Sequence, residues 1–252
     1  MIIETHDLWK TYGRFDALRG LSLAVPQGSV FALLGANGAG KTTAIKALLN
    51  IVEPTRGSAR VLGVESRAIG PRVLGQIGYV SESQVFPARL RVGEFFRYVR
   101  AYYAHWDRSI EDELFSRFRL PAERRIGALS HGMRLKMALA CALPFRPKLL
   151  ILDEPFSGLD ALVRDEIIAG FLLRSGEMSI LISSHELEEV QRLATHVAFI
   201  DAGRLLFQGP VAALREHARA LLLAAGYYNA EQVSLRDVFT TMARAARDGA
   251  TE

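Results

Sequence analysis

A chain of 252 residues, 50% hydrophobic, 9% aromatic and 23% charged, can bury a large core, which excludes an intrinsically disordered class. The formal charge of +4 is mildly basic, compatible with nucleotide, an anionic membrane surface or nucleic acid, and equally with an ordinary solvated surface. Cys141 is the single cysteine, which excludes an internal disulfide framework, and no run of ~20 apolar residues offers a membrane-spanning helix.

In chain order, Met1 to Lys10 lacks a basic region followed by an apolar run, so no secretory signal is expected and the chain reads as cytosolic. Val30 to Leu34 reads as a buried strand, followed by helical spacing over residues 41–50. Further strands are expected at Ile77 to Val80, Leu149 to Leu152 and Ser179 to Ser183, with helices over residues 161–174 and 186–194. This alternation predicts an α/β fold with a mostly parallel sheet. Val197 to Ile200 and Arg204 to Gln208, joined at Asp201-Ala202-Gly203, predict a hairpin that gives the sheet an antiparallel β edge.

Residues 86–143 differ, with no convincing strand. Phe95, Phe96, Val99, Tyr102, Tyr103 and Trp106 recur at helical intervals, the core stripe of an α-helical subdomain inserted in the main unit. Cys141 falls in an apolar helical stretch and reads as an inert buried thiol. The main unit is expected over residues 1–210, and residues 211–252 read as a short helical tail with a frayed end.

Gly35-Ala36-Asn37-Gly38-Ala39-Gly40-Lys41-Thr42-Thr43 fits G-x-x-x-x-G-K-[ST], after a strand and at the start of a helix. Glycines let successive amides face a phosphate, and the helix N-terminus favours an anion. Lys41 can bridge the β- and γ-phosphates, and the Thr42 hydroxyl can ligate Mg2+. Asp153 and Glu154 end an apolar strand, where two carboxylates need a cation or solvent. Strand alternation suggests that Asp153 faces the metal while Glu154 faces an attacking water.

Four further segments make the chain resemble an ABC transporter ATPase, a P-loop NTPase, over residues from about 4 to 210. Leu129-Ser130-His131-Gly132-Met133 is similar to the family's signature, usually Leu-Ser-Gly-Gly-Gln, and Ser157 to Asp160 resembles its D-loop. His185, after Ser184, resembles the switch histidine, and Tyr12, ahead of the first strands, resembles the aromatic that stacks on adenine. The resemblance implies a head-to-tail dimer, most simply a homodimer, with ATP gripped by the glycine loop of one copy and the signature helix of the other. Ser130, His131 and Gly132 would meet the partner's ATP, which suits an exposed helix N-terminus. It also implies that Glu154 polarises water, His185 contacts the γ-phosphate and Asp160 links the two sites.

Two positions depart from the family's pattern. A glutamine usually follows the strand at Ile77; here Glu82 stands at that point, with Gln84 as the alternative. Glu82 could ligate Mg2+ but could not donate to a phosphate as an amide can. His131 and Met133 replace the signature's Gly and Gln, while Ser130 and Gly132 remain.

The aromatic stretch Tyr102 to Asp107, the altered signature and Ser234 to Phe239 resemble single-cassette ATPases of bacterial exporter-like systems. That resemblance implies a separate integral membrane permease and a peripheral place on the cytoplasmic face of the membrane. No specific nucleic-acid partner is expected. The competing reading is a soluble ABC ATPase acting on ribosomes or nucleic acid, which generally resembles tandem cassettes or cassettes split by coiled coils.

Overall fold

The computed structural model describes residues 1–81, 83–159, 161–172, 178–185, 192–214 and 216. Glu82, Asp160, residues 186–191 of the expected helix and nearly all of the expected tail lie outside the described residues.

The chain starts with an antiparallel layer that the sequence pattern did not reveal. It comprises β1 (Ile3–Tyr12), β2 (Phe15–Leu21) and β3 (Ala24–Val25), and is completed by β5 (Arg56–Val61) and β6 (Val64–Glu65). These strands mix acids, histidine and arginine with their apolar residues, and β1 is interrupted by register shifts, so no clean alternation announces them. Tyr12 therefore ends the first strand instead of preceding the strands.

The main sheet has six strands in the order β11 (Arg204–Pro210), β10 (His196–Asp201), β4 (Val30–Leu34), β9 (Ser179–Ser184), β8 (Leu149–Asp153) and β7 (Ile77–Ser81). All neighbours are parallel except β10 and β11, the antiparallel edge expected from the hairpin. Every residue of β4, β8 and β9 is buried. Each strand serves two cores, because successive side chains point to opposite faces. Phe31, Leu33, Ile151 and Leu181 pack on one face with α1 (Lys41–Leu48) and the antiparallel layer. Ala32, Leu34, Leu150, Leu152 and Ile182 pack on the other with the helical insertion. That double burial explains why these strands read as unbroken apolar runs.

Between β7 and β8 lie α3 (Val92–Arg100), α4 (Arg108–Arg117) and α5 (His131–Ala142). The aromatic stripe of the helical subdomain is divided between α3 and the segment that leads into α4. α3 ends at Arg100, and Asp107 caps α4 by accepting from Ser109 N at 2.9 Å and Ile110 N at 3.3 Å. Phe96 is in the core, and Tyr103 stacks on Phe145 with ring centroids 4.1 Å apart. Tyr102 is instead exposed, its hydroxyl donating to that of Tyr98. Cys141 is half-buried on α5, and desolvation raises its thiol well above the ordinary range.

α2 (Pro71–Leu74) leads into β7, and α6 (Ala161–Leu172) follows the β8 loop. Residues 192–194, expected as helix, form a turn and a short irregular link. Among the described residues no helix is long and apolar enough to cross a membrane.

Candidate functional site

The parallel register brings four strand ends together. Leu34 pairs with Ser184, Asp153 with Ser183 and Ser81 with Asp153, so the residues after them form one rim at the carboxyl edge. Gly35 to Thr43 runs from β4 into α1 along that rim. Gly35 N donates to Ser184 O at 3.3 Å, and Ala39 O accepts from Gly203 N at 2.9 Å, which anchors the loop at both ends. Ala36, Asn37 and Gly38 are exposed.

Glycine is required at two places for physical reasons. A Cβ at Gly35 would lie 2.4 Å from Ile200 O. At Gly40, with φ +107, it would lie 2.6 Å from Ala17 O. Both are backbone obstacles, and the second is compounded by the left-handed conformation.

Lys41 opens α1 and is 5% exposed. Its Nζ donates to Gly35 O at 2.6 Å and Ala36 O at 3.2 Å, and lies 2.9 Å from Glu154 Oε1. That last contact is an ion pair largely shielded from solvent. Glu154 Oε2 lies 2.8 Å from His185 Nδ1. Lys41, Glu154 and His185 thus form a continuous chain of contacts.

The two carboxylates diverge, but not by strand alternation alone. β8 stops at Asp153, and Glu154 takes a left-handed φ of +51. Such a conformation costs a non-glycine residue on the order of 1 kcal/mol, and strain of this kind clusters at functional sites. Ser183, fully buried on β9, holds the arrangement: its Oγ accepts from Glu154 N at 2.9 Å and donates to Asp153 Oδ1 at 2.7 Å. Ser183 was read only as part of a strand. The available signal was a hydroxyl ending an apolar run, since a buried polar group needs a partner.

Thr42 Oγ1 donates to Asp153 Oδ1 at 3.1 Å. These neighbouring hard oxygens fit Mg2+, which prefers oxygen donors and shares its shell with phosphate. Among the described residues no trio of His, Cys, Asp or Glu offers another metal site.

The loop and Glu154 line a cleft of about 310 Å3 together with Phe15 and Ala17. Phe15 was missed in the sequence; Tyr12, its register partner, sits beside it at the hairpin end. A larger cavity, about 670 Å3, lies at the opposite edge beside Gln76 and Lys148, away from these groups. Volume is a poor guide here, because the chemistry gathers at the smaller cleft.

Ser130 is the N-cap of α5, its Oγ accepting from Met133 N at 3.2 Å. His131 Nε2 lies 3.2 Å from Ser157 O, joining the signature helix to the loop after Glu154. Gly132 lies close against α6, where a Cβ would meet Val163 at 3.2 Å. Gln84 shares a small recess with Ser81, His131 and Glu154.

A strand-loop-helix phosphate cradle, with two carboxylates at the end of the parallel strand β8 on the same rim, defines a P-loop nucleoside triphosphatase. A family model described as "ABC transporter" matches residues 18–157, and the chain belongs to that family. The bacitracin transport ATP-binding protein BcrA of Bacillus licheniformis is 35% identical over 225 residues, which are 88% of this chain and 74% of the relative. The Nod factor export ATP-binding protein I of Rhizobium sp. (strain N33) is 35% identical, over 85% of this chain and 73% of that protein. A solved structure described as the ATP binding subunit of an ABC transporter superposes with a TM-score of 0.83 at 27% identity, over 96% of this chain and 99% of its own. The chain is accordingly an ATP-binding ABC ATPase subunit. The alternative of a soluble ATPase on ribosomes or nucleic acid finds no support in these relatives.

Proposed function

We propose that this chain hydrolyses ATP within a head-to-tail homodimer, peripheral on the cytoplasmic face of the membrane, and so drives export through a separate integral membrane permease. The carrying observation is the chain of contacts from Lys41 through Glu154 to His185, at the lip of the phosphate loop. The γ-phosphate is the one part of ATP for which such a grouping has chemical use. The names of the bacitracin and Nod factor relatives support transport, and the second supports export.

In this reading the loop amides and Lys41 hold the triphosphate and offset charge that builds on it during transfer. Mg2+ would be held by Thr42 and Asp153, with Glu82, or alternatively Gln84, as a further ligand, and would neutralise phosphate charge. Glu154 accepts the proton of a water that attacks the γ-phosphorus, while the bond to the β-phosphate breaks and ADP leaves. His185 keeps Glu154 aimed and reaches the γ-phosphate. Tyr12 stacks on adenine. Ser130, His131 and Gly132 present the amide end of α5 to the partner's ATP, and Asp160 links the two sites.

The test is Glu154→Gln. ATP affinity should hold within about threefold, turnover should fall at least ~100-fold, and ATP-bound dimer should accumulate in gel filtration. A monomer that turns over at the wild-type rate would refute the assignment.

A further inference from the structure

We propose that Phe15 forms a second wall of the base site beside Tyr12, and that discrimination for a purine depends on this aromatic pair. The inference rests on the reading of the cleft as an ATP site. β1 and β2 are joined by the two-residue turn Gly13-Arg14, with Gly13 at φ +59, and the register places Tyr12 opposite Phe15. Directly opposed residues of an antiparallel pair project to the same face, so the two side chains rise from one surface.

That surface faces the phosphate loop. Phe15 and Ala17 are two apart on β2 and share its face, and both line the cleft with the loop and Glu154. β2 is locked to the loop through a shared turn: Arg19 N donates to Gly203 O at 2.9 Å, and Gly203 N donates to Ala39 O at 2.9 Å. Ala17 O backs both Gly40 and Gly203 so closely that a Cβ would fall within 2.6 and 2.8 Å of it. Phe15 is therefore held in a set relation to the phosphates even though it stands on a different sheet.

Phe15 is 59% exposed and Tyr12 45%, so neither ring is consumed by the core. One exposed aromatic is ordinary; two registered ones beside a phosphate cleft form a platform for a flat base. Lys10 Nζ lies 4.9 Å from the Tyr12 ring centroid and donates to Glu53 O at 2.8 Å, which occupies one face of that ring. Tyr12 is left with one face for a ligand. Phe15 makes no ring contact among the described residues and supplies the other stacking surface.

The experiment compares wild type, Phe15→Ala and Phe15→Trp by titration calorimetry with ATP, CTP and inorganic tripolyphosphate, each with Mg2+. Melting curves check that the variants fold. Phe15→Ala should bind ATP roughly tenfold more weakly, keep tripolyphosphate affinity within about twofold and lose most of the preference for ATP over CTP; Phe15→Trp should retain all three. Unchanged ATP affinity in Phe15→Ala overturns the proposal, as does an equal loss toward tripolyphosphate, which would make Phe15 a support of the loop. Wild type that binds no ATP would instead overturn the nucleotide site itself.

Discussion

Lys41 Nζ lies 2.9 Å from Glu154 Oε1, although the two residues come from α1 and from the loop after β8, which follow different strands of the sheet. The pair lies almost out of solvent, with side-chain exposures of 5% and 13%. In the proposed mechanism the cation that meets the triphosphate is thus already in contact with the carboxylate that meets the water. In that mechanism a γ-phosphate entering the loop would compete with Glu154 for Lys41, so nucleotide arrival and base activation would be joined through a single ammonium group.

Lys41→Ala should weaken ATP binding at least ~10-fold and slow turnover at least ~100-fold, the scale on which a preorganised charge acts on a transition state. Calorimetry and phosphate release measure the two effects. Unchanged affinity and rate would remove the loop from the mechanism.

Ser183→Ala removes both the donor to Asp153 and the acceptor for Glu154 N in a fully buried setting. Leaving such groups unsatisfied costs about 1–3 kcal/mol, which in a chain of this size lowers the melting temperature by roughly 2–10 °C. Turnover should fall about tenfold while ATP affinity changes less, because the carboxylates lose their orientation and the loop does not. A variant with wild-type melting and wild-type turnover would show that Ser183 holds neither carboxylate.

Asp107 ties the start of α4 to Arg146, with Arg146 Nη2 2.7 Å from its carboxylate. The hydrogen bond from the Ser109 side chain, and then that guanidinium, hold its carboxyl well below the usual carboxylate range. A native pKa below the unfolded one contributes stability present above the ordinary carboxyl range, and lost as pH falls from about 4 toward the native value. Asp107→Asn keeps a capping side chain but removes this titration. Its melting temperature should fall less steeply than that of wild type in that acid range, as thermal scans at stepped pH would reveal. Parallel curves for the two proteins would contradict the role of Asp107.

The parts most legible in the chain were those where local pattern and physical need coincide. The strands at Val30, Ile77, Leu149 and Ser179 announced themselves because they are buried on both faces over most of their length, so their central positions are largely apolar. Gly35 to Thr43 announced itself because backbone approach to a phosphate forces glycine at set intervals. The antiparallel layer did not, since β1 and β2 are half-exposed and carry polar residues through their bulges. The aromatic stripe after Phe95 gave a helical subdomain but not its helix boundaries, because periodicity cannot see that Asp107 caps a new helix.

The residues alone therefore determined which chemical groups are the candidates to meet a nucleotide: the glycine loop, Lys41, Asp153, Glu154 and His185. Tertiary structure alone decided how those groups meet. Ser183 became their clamp and Phe15 their neighbour through strand register and a shared turn at Gly203. Spacing along one chain records which residues lie near in sequence, whereas hydrogen-bonded register between β8 and β9, and between β1 and β2, joins residues far apart or hidden in a polar pattern.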